Sequence, residues 1–118
     1  MHSYRDLVVW QRSIELVIEI YTLTDRFPKE EIYGLISQLR RAAVSIPSNI
    51  AEGRYRGTRK DFRQFLLNAY GSGAEVETQL VIANKLPKTK NLNYVRANKI
   101  LDEVMLMLNS LIKKLETS

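Results

Sequence analysis

Apolar residues recur at spacings of three and four along most of the chain, which is typical of helices that bury one face. Four such stretches are separated by Pro, Gly and short polar turns. They predict helices over about residues 6–25, 29–56, 59–85 and 91–116. Because the connections are short and no stretch alternates as a strand would, the pattern predicts an all-α fold. We expect one domain, residues 1–118, built as an antiparallel up-down four-helix bundle.

Each predicted helix has one apolar stripe that we expect in the core. In the third helix the stripe is a regular heptad that passes in phase through Gly71-Ser72-Gly73. We therefore expect close approach of a neighbouring helix there rather than a loop. The four stripes are Leu7, Trp10, Ile14, Val17 and Tyr21; Ile32, Leu35, Leu39, Ala42, Ile46 and Ile50; Phe62, Leu66, Ala69, Gly73, Val76, Leu80 and Ala83; and Leu101, Val104, Leu108, Leu111 and Leu115.

Pro47 lies inside the second predicted helix. A proline at this position removes the hydrogen bond to the carbonyl of Ala43 and predicts a kink in the helix. The apolar stripe resumes after it, so we expect a kinked helix rather than two helices. Asn49 supplies an amide that can satisfy the backbone group freed by the proline.

The helix ends also carry sequence signals. Gly57-Thr58 predicts the end of the second helix followed by the N-cap of the third. Asp61, three residues after the threonine, forms a short variant of the capping box. Thr89 or Asn91 can cap the fourth helix, which follows Pro87.

The first helix has more apolar surface than one core face requires. A second stripe lies opposite Trp10, and two apolar residues of the third helix point away from its heptad. A helix that is apolar nearly all round is buried on both sides, which a four-helix monomer cannot provide. The alternative is scattered surface hydrophobes, which are common. We expect self-association through Val9, Leu16, Ile20, Leu23, Leu67 and Tyr70.

The charge of the chain is concentrated in residues 40–63. This segment holds seven basic and two acidic residues, so its charge of +5 equals the formal charge of the whole chain. Such concentration predicts a negatively charged partner. Arg59, Lys60 and Arg63 occupy the first turns of the third helix, where the helix dipole disfavours each cation by about 0.3–1 kcal/mol. This placement favours a polyanion over a solvated turn. The predicted nucleic-acid contacts are Arg40, Arg41, Arg54, Arg56, Arg59, Lys60 and Arg63, with Tyr55 able to stack on a base.

The sequence supports neither catalysis nor a metal site. Cysteine is absent, the only histidine is His2, and no Glu-x-x-His pair or glycine-rich phosphate loop occurs. We therefore expect a non-enzyme without a cofactor. Charged residues such as Arg5 and Arg12 interrupt any signal-peptide pattern, and no apolar run approaches the roughly 20 residues that cross a bilayer. These features predict a cytoplasmic protein.

The segment Ser45–Gly53, with the sequence SIPSNIAEG, resembles the signature of four-helix bundle proteins encoded in intervening sequences of 23S rRNA genes. The opening Tyr4–Trp10 and the segments Phe65–Leu66, Ala69–Ser72 and Glu75–Glu77 are similar to that family as well. The resemblance therefore spans nearly the whole chain. The family looks like a relative of the accessory variability protein of diversity-generating retroelements.

The resemblance implies an antiparallel four-helix bundle that assembles into a pentameric ring or barrel. In the retroelement relative, a basic surface binds nucleic acid and the protein partner is a reverse transcriptase. For this chain the resemblance places the basic surface at Arg54, Arg56 and Arg59, which follow the matched motif directly.

Two functions from different classes fit these observations. The leading hypothesis is a non-catalytic homo-oligomer that binds nucleic acid, with structured RNA favoured. The alternative is a protein-interaction scaffold whose arginines form intersubunit ion pairs with Glu52, or with Glu75 and Glu77, and which has no nucleic-acid role. An unidentified protein partner is compatible with both. Binding to an anionic membrane is disfavoured, because the basic cluster lacks an adjoining exposed apolar face with Trp or Phe anchors.

Overall fold

The computed structural model describes residues 3–116, apart from the side chains of Ile32 and Tyr33. His2 lies outside this part of the chain. The four long helices pack into one elongated bundle of 48 × 20 × 19 Å, which confirms the predicted four-helix architecture. The helices are α1 (Val8–Thr24), α2 (Ser37–Arg56), α3 (Arg59–Ala83) and α4 (Val95–Glu116).

Contacts between neighbouring helices show their antiparallel order. The end of α1 contacts the start of α2, the middles of α2 and α3 contact each other, the start of α3 contacts the end of α4, and α4 packs back against α1. The arrangement is the up-down topology that short connections favour. The hydrogen-bonded pairs are Thr24 with Arg40, Ser45 with Ser72, Arg63 with Ile112, and Arg12 with Glu103.

The predicted heptad of α3 lies entirely in the core. Gly73 belongs to this stripe, and a Cβ added there would overlap the Sδ of Met105 on α4. The predicted close approach of a neighbouring helix at this glycine is therefore confirmed. A second close approach joins α2 to α3, because a Cβ at Gly53 would lie 2.6 Å from the Cβ of Phe65.

The stripe of α1 that faces the core is not the one that was predicted to do so. The stripe that was expected to form a subunit interface is 0–5% exposed in the single chain, so its assignment to that interface is wrong. Trp10 and Val17 are half-buried at the edge of the core, and Tyr21 is exposed. Helical spacing identifies both stripes, but their phase relative to α2 and α4 decides which faces the core. The misassigned residues are Val9, Leu16, Ile20 and Leu23.

The chain between residues 29 and 36 departs from the continuous second helix that was predicted. Lys29–Glu31 forms a 3₁₀ turn and Ile32–Ile36 a π turn, within which Gly34 has non-helical angles of φ −110° and ψ −110°. The α-helix proper begins at Ser37 and continues without a break through Pro47. The kink at the proline stays a prediction.

Asn49 has a different role from the one predicted. Its Nδ2 donates to the carbonyl of Ser45 at 2.8 Å and to Ser45 Oγ at 2.9 Å. It does not donate to the carbonyl of Ala43, which is the group that Pro47 leaves free, so the predicted compensation is wrong. The amide instead supports the Ser45 hydroxyl, which lies 2.9 Å from Ser72 Oγ across the α2–α3 contact.

The turn between α2 and α3 matches the sequence signals. Gly57 ends α2 with φ 84°, a left-handed conformation that costs little only for glycine. Thr58 caps α3, since its side chain accepts a hydrogen bond from the N–H of Asp61 at 3.1 Å. This turn fixes the positions of the basic residues on both sides of it.

The start of α4 differs from the prediction by one helical turn. The helix begins at Val95, whose N–H donates to Asn93 Oδ1 at 3.0 Å. Thr89 is not the cap, because it is buried and its hydroxyl donates to the carbonyl of Ala83. The hydroxyl of Tyr94 donates to the Thr89 carbonyl at 2.8 Å, and burial raises the pKa of this tyrosine. These bonds order the loop between α3 and α4.

Candidate functional site

At one end of the bundle, where the start of α1 also lies, three further helix ends bring basic residues from two parts of the sequence together. The C-terminus of α2, the N-terminus of α3 and the C-terminus of α4 form this surface, which we call the basic end. Sequence reasoning missed the contribution of α4, because only the antiparallel topology places its last turn beside the start of α3. The basic residues of this end are Arg54, Arg56, Arg59, Lys60, Arg63, Lys113 and Lys114.

Arg59 and Arg63 connect α3 to the last turns of α4. Arg59 Nη2 donates to the carbonyl of Lys114 at 3.1 Å, and Arg63 Nε donates to the carbonyl of Ile112 at 3.3 Å. Arg63 also lies 3.7 Å from a carboxylate oxygen of Glu116. Carbonyls at a helix C-terminus are the negative end of the helix dipole, so cations are favoured beside them.

Contacts within the chain therefore explain the position of these two arginines. The dipole of α3 was expected to disfavour them, but they also donate to carbonyls at the adjacent C-terminus of α4. Their placement at the start of a helix consequently no longer favours a polyanion partner. The hypothesis of nucleic-acid binding must rest on other members of the basic end.

Arg56 has a partner within the chain. Its Nη2 lies 2.9 Å from a carboxylate oxygen of Glu52 one turn earlier, and its guanidinium lies 5.0 Å from the centroid of the Phe65 ring. Both charged side chains are about half exposed, and exposed pairs of this kind contribute little stability. Glu52 thus already pairs inside the subunit, while Arg56 keeps an accessible face.

Arg54 is held differently. Its Nε–H is buried without an acceptor, and within residues 3–116 the side chain makes neither an ion pair nor a hydrogen bond. The guanidinium lies 5.7 Å from the centroid of the Phe62 ring. An unsatisfied buried donor costs about 1–3 kcal/mol, and more when it is charged. Arg54 is therefore a cation at the basic end without a counter-ion among residues 3–116.

Two further residues of the predicted site project from the same end. Lys60 is exposed in the first turn of α3. Tyr55 is 86% exposed in the last turn of α2, between Arg54 and Arg56. The structure therefore brings six of the eight predicted nucleic-acid contacts to one surface.

The structure does not bring Arg40 to the basic end. Its Nη2 lies 2.9 Å from Asp25 Oδ1, its Nε donates to Thr24 Oγ1, and its guanidinium covers the Tyr21 ring at 4.4 Å. These contacts join the end of α1 to the start of α2. At 1.5 Å per residue, Arg40 lies about 20 Å along α2 from Arg54. Its inclusion in the nucleic-acid surface was wrong, because these contacts assign it to helix packing.

Arg41 also lies away from the basic end. It is exposed at the rim of a polar cavity of about 320 Å³ between α2 and α3. Glu75 lines the same cavity, and neither residue has an ion-pair partner within the described chain. The other polar residues of this cavity are Gln38, Ser45, Ser72 and Gln79.

Apolar residues remain exposed on several faces of the bundle, including a groove between α1 and α4. Leu67 and Tyr70 on α3 are each 37% exposed, so their assignment to a subunit interface stays a prediction. On the other side, a groove between α1 and α2 is lined largely by apolar residues. This groove contains three residues of the α1 stripe that was expected in the core. Its lining residues are Tyr4, Trp10, Ile14, Val17, Val44, Pro47, Ser48 and Ala51.

The residues described by the structure contain no group of three histidine or carboxylate side chains arranged to hold a metal ion. Across the same residues, none of the helices combines the length and apolar character needed to span a bilayer.

Fold and site together define an all-α, four-helix bundle protein with a basic surface at one end. The family model for the 23S rRNA-intervening sequence protein matches residues 5–110, and the chain belongs to that family. The match covers the α2–α3 turn but ends before Lys113 and Lys114. The sequence matches none of the curated proteins with which it was compared.

Proposed function

We propose that this protein is a non-catalytic, cytoplasmic homo-oligomer whose basic end binds the phosphate backbone of nucleic acid, with RNA as the favoured ligand. The observation that carries the proposal is Arg54, a half-buried guanidinium with an unsatisfied donor and no counter-ion among the described residues. Phosphate oxygens are strong acceptors for guanidinium groups and supply the missing negative charge.

The free chain holds Arg54 Nε in a position that solvent does not reach. A bound phosphate would draw the guanidinium away from the Phe62 ring and towards the surface, where all of its donors find acceptors. Lys60 and Arg56 lie on the same end and supply further positive charge. Arg59 and Arg63 hold α3 against α4, so they position this surface even where they do not contact phosphate.

Exposed apolar surface supports the oligomeric part of the proposal. The groove between α1 and α2 and the exposed α3 residues Leu67 and Tyr70 lie on different faces of the bundle. Contact between two different surfaces of the same chain is heterologous, and such contacts generate closed rings when the rotation closes. The family resemblance suggests five subunits. A ring would repeat the basic end and multiply its electrostatic field.

A protein-interaction scaffold is the second candidate. It is favoured by Arg41 and Glu75, which face one polar cavity without pairing to each other or to another described residue. A neighbouring subunit or another protein would supply the complementary charges. Glu52 is a weaker candidate for this role, because Arg56 already pairs with it inside the chain.

Nucleic-acid binding measured against salt concentration separates the two functions. We expect the wild type to bind an RNA hairpin with an affinity that falls steeply with salt, and the Arg54→Gln/Lys60→Gln variant to bind more weakly with a shallower slope. Lys85→Gln/Lys90→Gln is the matched control, because it removes the same charge from the opposite end. If the wild type shows no salt-dependent binding while Arg41→Gln loses its oligomeric state in light scattering, the scaffold is correct.

A further inference from the structure

Tyr55 is the most exposed large apolar side chain in the described part of the protein. It lies two residues before Gly57, on the final turn of α2, where the bundle ends. No described residue forms a hydrogen bond or a ring contact with it. Surface tyrosines are common, but this one stands on the electropositive end that the proposed function uses.

Two arginines flank Tyr55 and leave its ring accessible. Arg54 and Arg56 precede and follow it, so each lies about 100° away around the helix on either side of the tyrosine. Their guanidiniums are drawn towards α3, over the rings of Phe62 and Phe65 at 5.7 and 5.0 Å. The tyrosine ring is consequently left uncovered, with one cation on each flank.

We propose that Tyr55 stacks on an unpaired base, so that the basic end selects nucleotides in loops, bulges or single strands over continuous duplex. This inference rests on the proposed function. A single nucleotide has a phosphate on each side of its sugar, and Arg54 and Arg56, one on each flank of Tyr55, would supply a cation for each of these phosphates when the base covers the ring.

The preference for unpaired nucleotides follows from the accessibility of the base faces. Inside a duplex both faces of each base are covered by neighbours, and a protein ring reaches them only after unstacking. An unpaired base offers a free face, and stacking on an aromatic side chain tolerates any sequence. Arginine contacts to phosphate alone would give no such preference, because duplex and single strand both present phosphates.

The test compares two RNAs of equal length at one salt concentration, a hairpin with an unpaired loop and a fully paired duplex. The variants are Tyr55→Ala and Tyr55→Phe, each measured by fluorescence anisotropy with the full-length protein. We expect Tyr55→Ala to weaken hairpin binding by roughly 5- to 150-fold and to leave duplex binding unchanged. Tyr55→Phe keeps the ring and should bind the hairpin as the wild type does.

Four results would overturn the inference. Equal wild-type affinity for hairpin and duplex, or an equal loss for both in Tyr55→Ala, would show that Tyr55 does not read unpaired bases while the proposed phosphate binding survives. A change of oligomeric state in Tyr55→Ala would assign the residue to a subunit contact. Absence of salt-dependent binding to either RNA would remove both the inference and the proposed function.

Discussion

The contact of Gly53 with Phe65 makes a sharp prediction about the α2–α3 packing. Replacing this glycine by alanine puts a methyl group 2.6 Å from the Cβ of Phe65 and 3.3 Å from a ring carbon of Phe62. A Cβ atom cannot move without its backbone, so the two helices must separate to admit the methyl group. A methyl group added at Gly71, which also lies inside a helix, would instead meet open space.

The expected energies follow from two opposing terms. Alanine in place of glycine inside a helix is favourable by about 0.8–1.0 kcal/mol. Overpacking a close contact costs about 1–3 kcal/mol. Gly71→Ala should therefore raise the free energy of unfolding by about 1 kcal/mol, while Gly53→Ala should lower it by up to about 2 kcal/mol. For a chain of this length, 1 kcal/mol corresponds to roughly 4 °C in Tm.

Urea unfolding followed by circular dichroism, at one fixed protein concentration, measures both variants. Gly73→Ala is an informative third variant, because its methyl group meets the flexible end of Met105, which can move, and the loss should be smaller than at Gly53. Equal stabilisation by Gly53→Ala and Gly71→Ala would refute the close α2–α3 contact.

Two other predictions concern the loop and the apolar surface. Because burial raises the pKa of Tyr94 in the folded chain, the stability contributed by its neutral hydroxyl is present below about pH 10 and is lost as pH rises through the folded-state pKa. In urea titrations, the free energy of unfolding of the wild type should therefore fall relative to that of Tyr94→Phe as the pH rises above about 10, and a difference that stays constant with pH would contradict the burial. Leu67→Lys should lower the mass of the oligomer measured by light scattering. Val95→Lys, on the outer face of α4, should leave that mass unchanged. The reverse result would exclude the α3 surface as an interface.

The sequence predicts the helices and much of the core because both depend on local spacing. The heptad of α3 and the Gly57-Thr58 turn are confirmed, since each is specified by residues within a few positions of one another. The two stripes of α1 show the limit of this reasoning. Both have helical spacing, and only the packing of α2 and α4 around the helix decides which is buried.

The candidate site shows the same limit. The charge of the α2–α3 turn is visible in the sequence, but the chain brings in the last turn of α4 from about 50 residues further on. That contact explains why Arg59 and Arg63 are stable in the first turns of α3. From the sequence alone, their position there is attributed to a negatively charged ligand. It also leaves Arg54, which local sequence does not distinguish from its neighbours, as a half-buried cation without an ion-pair or hydrogen-bond partner among the described residues.

The salt dependence of RNA binding by Arg54→Gln tests the central claim most directly. A plot of log affinity against log salt should be shallower than for wild type by about 0.7–0.9 for each subunit that contacts the RNA, because one phosphate contact is lost per subunit. Lys85→Gln removes the same charge from the opposite end and should keep the wild-type slope. If both variants show the wild-type slope, Arg54 does not contact phosphate, and the observation that carries the proposed function is contradicted.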